Sequence, residues 1–246
     1  MLINTSGLIL RETNYRDSDK MLTILTKDRG KISASCSGAR SRRSSMRAGT
    51  QLFAYAELAL YESRGRYSVN EAEPIELFMG IRGDISRLSL ASYMAELLEA
   101  LADEDEPDPA LLTTGLNCLY ALSVGKKPEK QIKAAFELRA AAYAGFMPEL
   151  LACAVCGDTE PDEPALDING GTLVCSGCFA GERAKLSGES LLAMRYVLAA
   201  DGKRLLSFSL TPEALEEFSH ACERYILRCL ERGFTTLDFY KSVQEL

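Results

Sequence analysis

The sequence has no tryptophan, one histidine, and no apolar run approaching the length of a membrane-spanning helix. Histidine is the side chain that titrates near neutral pH, so its scarcity removes most acid–base constellations. A phosphate loop is also missing, because neither Gly125-Lys126 nor Gly202-Lys203 has the required upstream glycine. There is no GxGxxG fingerprint, no HExxH and no GxSxG elbow. The acidic run Asp103–Glu106 reads as a solvated loop rather than a metal site. Nothing positive indicates an enzyme. The N-terminus MLINTSGLIL lacks the basic flank and cleavage site of a signal peptide. Eight cysteines, four of them in close pairs, suit a reducing compartment better than a disulfide scaffold. The expected location is therefore cytoplasmic, with no membrane partner.

What is present is unevenly charged. The formal net charge is -7, yet residues 1–70 carry an excess of basic groups and residues 71–246 an excess of acidic ones. A basic N-terminal part on an acidic body suggests a polyanion-binding face on one domain only.

The hydrophobic pattern changes period along the chain. Leu2–Tyr15, Met21–Thr26, Lys31–Cys36, Gln51–Glu62 and Arg66–Ala72 alternate as strands separated by turn residues. Five strands in so short a segment predict a small barrel, with an OB-type barrel leading and an SH3-like barrel the alternative. Beyond Pro74 the period becomes helical: Leu90, Met94, Leu97, Leu98 and Leu101 share a face. Further helices are expected over Ala110–Val124 and Lys126–Ala144, around Glu189–Ala200, and from Thr211-Pro212 to Gly233. Gly145 is the expected C-cap of the Lys126–Ala144 helix. The fold class expected is thus α+β multidomain, an OB barrel followed by a helical part.

Four cysteines carry the clearest chemistry. Cys153, Cys156, Cys175 and Cys178 form two CxxC knuckles, with a Gly170-Gly171 hairpin expected between them. Paired thiolates at this spacing hold a tetrahedral Zn²⁺, and the layout is that of a zinc ribbon. Four protein thiolates leave no position for water, so the single zinc is expected to be structural. Cys36, Cys118, Cys222 and Cys229 read as small core residues, and His220 as a surface or packing residue.

A basic loop stands between the third and fourth strands. Arg40, Arg42, Arg43 and Arg47 lie among Gly and Ser in a stretch with no acidic residue from Lys31 to Leu52. Guanidinium groups fork onto phosphate oxygens, and serine hydroxyls add neutral donors. Arg29, Lys31, Arg64 and Arg66 are expected at nearby strand ends as an extension of this patch. Tyr15, Tyr55, Tyr61 and Tyr67 offer rings that either stack bases or fill the barrel. A competing reading is a protein–protein adaptor that binds through its zinc ribbon and helices, with the basic loop incidental.

Several motifs together carry a family resemblance. Gly7–Leu10, Thr26–Lys31 and the Ser37–Arg40 loop are followed by Tyr93–Leu97 and then Phe136–Pro148, ahead of the CxxCG knuckle, the Gly-Gly hairpin and the second CxxC. In this order they resemble the bacterial RecO family of recombination mediators over nearly the whole chain. The resemblance implies an OB-fold DNA-binding domain at 1–80 and a helical domain at 81–246 with a zinc-ribbon insertion at about 150–180. It implies ATP-independent binding of single- and double-stranded DNA, strand annealing, and work with RecR and the single-strand-binding protein SSB to load RecA. It further implies a groove on the helical domain for the acidic C-terminal tail of SSB. Lys130, Lys133, Phe136 and Arg139 are the residues expected to line that groove.

Overall fold

The computed structural model describes residues 1–41 and 44–245. Of the arginines expected to bind phosphate, Arg42 and Arg43 therefore lie outside the described residues. By contact density the chain divides into two compact units, residues 1–124 with 234–246, and residues 125–233.

The first unit opens with five strands: β1 (Leu2–Tyr15), β2 (Asp19–Thr26), β3 (Gly30–Cys36), β4 (Tyr55–Ser63) and β5 (Arg66–Glu76). They close in the order β1-β2-β3-β5-β4, with β4 returning to β1. Four contacts are antiparallel, and β3 meets β5 in parallel at Ala34–Tyr67 and Ser35–Ser68. That crossing makes the barrel an OB fold. Strand β1 is long enough to serve two neighbours, pairing β4 through Leu8 and β2 from Gly7 onward, with a register shift between Ile9 and Arg11. Gly7 pairs with both neighbours, opposite Thr26 and Ala56, and a Cβ there would lie 2.7 Å from Ile24 Cγ2.

The barrel core is filled by alternating residues, among them Ile9, Leu22, Ile24, Ile32, Leu58, Leu60 and Val69. The β3–β4 connection plugs one mouth. Ala39, Phe53 and Ala54 are buried there, and Met46 packs on the core. Strand β4 starts at Tyr55 rather than Gln51, because Phe53 takes a left-handed φ of 64° and its amide donates to the Ile9 carbonyl.

Among the described residues, the helices of this unit are α1 (Met79–Arg82), α2 (Ile85–Leu101), α3 (Pro109–Val124) and α7 (Thr235–Gln244). Asp84 caps α2 by accepting from the amides of Ser86 and Arg87. Helix α7 packs on α2, with the Thr236 hydroxyl donating to Glu96 and Tyr93 meeting Phe234 edge-on at 5.6 Å.

The second unit contains α4 (Glu129–Tyr143), β6 (Pro164–Asp167), β7 (Thr172–Cys175), β8 (Arg183–Lys185), α5 (Gly188–Ala199) and α6 (Pro212–Leu230). Helix α4 is its axis, buried from Gln131 to Ala142. Its many alanines leave room for α5 and α6 to approach closely. Gly145, at a φ of 90°, ends it. The Gly145 amide donates to Ala142 and the Phe146 amide to Ala141, the paired bonds of a Schellman cap. Thr211 caps α6 from in front of Pro212, in line with the pattern.

Candidate nucleic-acid interface and metal centre

Strand direction decides where the basic residues go. The β3–β4 connection and the β1–β2 turn sit at one end of the barrel, and the β2–β3 and β4–β5 turns at the other. Arg40 and Arg47 therefore lie at the plugged mouth. Arg29 and Lys31 lie at the start of β3, while Arg66, next to the Tyr67–Ala34 pair, lies beside the middle of that strand with Arg64 on the adjoining β4–β5 turn. The seven residues of β3, about 20 Å of extended strand, separate Lys31 from the start of the loop.

At the plugged mouth, Arg40 is exposed and its Nη1 donates to the carbonyls of Asp17 (3.1 Å) and Arg16 (3.4 Å). The Gly38 amide donates to the Asp19 carboxylate at 2.9 Å. These bonds tie the basic loop to the β1–β2 turn. That turn brings Arg16, which the sequence reading missed, with its guanidinium over the exposed ring of Tyr15 at 5.1 Å. Arg47 is exposed at the end of a short 3-10 turn, Ser45–Arg47.

The candidates around β3 differ in availability. The Lys31 Nζ donates to the Glu99 carbonyl at 2.8 Å, which commits it to packing. Arg29 is half-buried near the Tyr67 ring. Arg64 and Arg66 are exposed, and neither side chain has an ion-pair partner among the described residues. With Ser35, Tyr61, Ser63, Tyr67 and Ser68 they line an open cavity of about 500 Å³.

The acidic segment after α2 borders this region. The Lys31 amide donates to the Asp103 carbonyl at 3.0 Å, and the Tyr67 hydroxyl donates to the Asp105 carboxylate at 3.2 Å. Gly30 permits the approach: its φ is 60°, and a Cβ there would collide with the main chain of Glu106. The carboxylates therefore do not all face open water as a free loop; their backbone lies along β3.

Of the four tyrosines, Tyr15 and Tyr61 are about half exposed, Tyr15 with the Arg16 guanidinium over its ring. Tyr55 and Tyr67 are half-buried, Tyr55 donating to Ser6 Oγ at 2.9 Å and Tyr67 packing on the barrel core. Burial and the Asp105 hydrogen bond raise the Tyr67 phenol above the usual range.

In the second unit the four predicted thiols converge. The Sγ atoms of Cys153, Cys156, Cys175 and Cys178 all lie within 4.8 Å of one another, with Cys156 and Cys175 at 3.6 Å. Four sulfurs at Zn–S bond length would sit about 3.8 Å apart, so the set fits a tetrahedral ion that size. The first knuckle turns at Gly157, φ 79°, whose amide donates to the Cys153 carbonyl. Gly177 needs no left-handed backbone. Strands β6 and β7 form the expected hairpin across Gly170-Gly171, and β8 adds a third strand. Amides of Cys156, Val155 and Cys175 hold the Cys153 thiol down at about 6, and burial pushes Cys175 up. The cluster could hold a metal ion with all four positions taken by protein.

The groove expected on α4 is not at the surface. Phe136 is fully buried, and Lys133 is buried between Glu137 (2.9 Å) and Glu223 (2.8 Å). Arg139 is also buried, with Nη2 donating to the Ala200 carbonyl and Nη1 to Tyr143. Lys130 is on the outside, paired to Glu216 at 2.5 Å. Four residues spaced three apart over two and a half turns of helix look like one face, but α4 is buried all round from Gln131 to Ala142. Phe136, Lys133 and Arg139 therefore build the interior of the unit, not a docking groove.

Comparison with known proteins adds the last observation. Residues 1–78 match the family model described as Recombination protein O N terminal, and residues 82–238 match Recombination protein O C terminal. The chain is 33% identical to the DNA repair protein RecO of Acetivibrio thermocellus, over 99% of this chain and 98% of that one. It is 32% identical to the Alkaliphilus metalliredigens protein of the same name, over 99% and 100%. The Heliobacterium modesticaldum protein of that name is 34% identical, over 94% of this chain and 86% of its own.

Proposed function

The chain belongs to the recombination protein O family of DNA repair proteins, and from that premise we propose that it works by binding DNA through its OB barrel rather than by catalysis. The observation that carries the reading is the set of exposed arginines around the barrel's loops, Arg16, Arg40 and Arg47 with Arg64 and Arg66, on an otherwise acidic chain. Exposed arginines without carboxylate partners are what phosphate oxygens recruit.

The same reading makes the protein an ATP-independent annealer of complementary strands that helps load RecA onto SSB-coated single strands, with RecR as a partner. The sequence carries no phosphate loop to use ATP, and arginines on more than one loop of the barrel suit holding more than one segment of strand. The metal is one zinc per chain, structural, on Cys153, Cys156, Cys175 and Cys178. Soft sulfur ligands at this spacing favour zinc over harder divalent ions.

Titration of labelled single-stranded and duplex oligonucleotides over a range of salt, followed by annealing of complementary strands with and without SSB in the absence of ATP, tests the proposal. Salt-sensitive binding and ATP-free annealing are the expected results. An absence of salt-sensitive binding would point instead to a protein–protein adaptor.

A further inference from the structure

We propose that the cavity beside the β4–β5 turn is a subsite for one unpaired nucleotide, with Tyr61 as the base platform and Arg64 and Arg66 as the phosphate clamp. The inference rests on the DNA-binding reading and deepens it by assigning one patch of the barrel surface to unpaired strands.

Strand register supplies the geometry. Ser35 of β3 lies opposite Ser68 of β5, Ser68 lies opposite Tyr61 of β4, and Arg66 lies opposite Ser63. Facing residues share a side of the sheet, and so do residues two apart on one strand. Tyr61, Ser63, Arg66, Ser68 and Ser35 are thus displayed together on the outer face, and Arg64 crowns the turn with a left-handed φ of 53°. Tyr67, one residue out of phase, packs toward the barrel core and lines the cavity with the rest of its ring.

The chemistry of this face matches a nucleotide with its base exposed. Tyr61 is 49% exposed although it sits in a closed barrel, paired on both sides by β1 and β5. A rigid exposed ring next to two uncommitted guanidinium groups offers a stacking plane and a phosphate site at once. The Ser68 and Ser35 hydroxyls make only long bonds, 3.4 Å each, to the carbonyls of Tyr61 and Tyr67. They can redirect to base or sugar at small cost. Glu62 and Asp105 act on Tyr67 from the negative side and Arg29 from the positive side. A paired base in a duplex keeps its faces stacked on its neighbours and cannot use the platform, whereas an unpaired base can.

The test compares Tyr61→Ala, Tyr61→Phe and the double change Arg64→Ala/Arg66→Ala on single-stranded and duplex oligonucleotides, using the full chain. A strand carrying 2-aminopurine reports stacking through quenching of its fluorescence. Tyr61→Ala is expected to weaken single-strand binding roughly tenfold, to abolish the quenching, and to leave duplex binding within about twofold. Tyr61→Phe keeps the wild-type values. The double arginine variant weakens single-strand binding and lowers its salt slope. Equal losses on single strand and duplex for Tyr61→Ala, or quenching that survives it, overturn the subsite while leaving DNA binding in place. If the unaltered protein binds neither substrate, the underlying DNA-binding reading fails instead.

Discussion

The Tyr67 hydroxyl donates to the Asp105 carboxylate at 3.2 Å, joining the first turn of β5 to the acidic segment that follows α2. Tyr67 lines the same cavity as Arg64 and Arg66, so Asp105 places a negative charge beside the site where a phosphate would sit. Asp105 holds a left-handed φ of 57°, which asparagine also tolerates. Asp105→Asn is expected to tighten single-strand binding severalfold at low salt, with the gain shrinking as salt screens the charge. Anisotropy titrations at two salt concentrations check this. A gain that does not depend on salt would mean that the carboxylate acts otherwise than by charge.

The loop end of the barrel should account for a defined share of salt dependence. If Arg40, Arg42, Arg43 and Arg47 each neutralise one phosphate of a single strand, replacing all four with alanine flattens the slope of log K against log salt by about 2.8. The Arg40 side chain already caps two carbonyls, so it is expected to contribute the least of those described. Unchanged salt dependence would remove the loop from the interface.

Metal content is expected to be one zinc per chain, held in a closed shell. Structural zinc sites contribute about 10–16 kcal/mol of binding energy to folding. Cys175→Ser, or prolonged chelation, should therefore lower the melting temperature of the unit containing residues 125–233. Elemental analysis beside calorimetry tests this. A Cys175→Ser protein that kept its melting temperature and lost only annealing would contradict a structural role.

Lys133 should be among the least replaceable residues of the second unit. Its ammonium group is buried between Glu137 and Glu223, and removing it would leave two carboxylates facing each other without a cation. Lys133→Ala is expected to cost about 3–5 kcal/mol in denaturant unfolding. Burial pulls the Lys133 pKa down, but the two carboxylates outweigh it and the net direction is up. A raised lysine stabilises the fold fully below its unfolded value and loses that contribution as pH rises through the folded one. Unfolding near neutral pH should thus show no titration from this group, with the loss appearing only in strong alkali.

Much was readable from local pattern. The two CxxC knuckles state their ligands by spacing alone, because a knuckle is a local turn and the loop between needs only to be long enough to bring the pairs together. Period-two alternation gave the barrel strands, and capping residues such as Thr211 and Gly145 gave helix ends, since both signals depend on neighbours a few residues away. Helix α1 carries too few residues to show a period, and α7 buries only Leu237 and Tyr240.

Long-range placement was decided by the tertiary structure alone. That Arg64 and Arg66 share a cavity with Ser35 follows from β3 and β5, which pair in parallel at residues more than thirty apart. No window of sequence contains that pairing. Likewise Lys133, Phe136 and Arg139 look like a charged and apolar surface on one helix, until α5 and α6 enclose it and turn the cation into the partner of two buried carboxylates. Residue type and spacing specify which chemistry a chain can do. Which groups remain free to do it depends on what else packs against them.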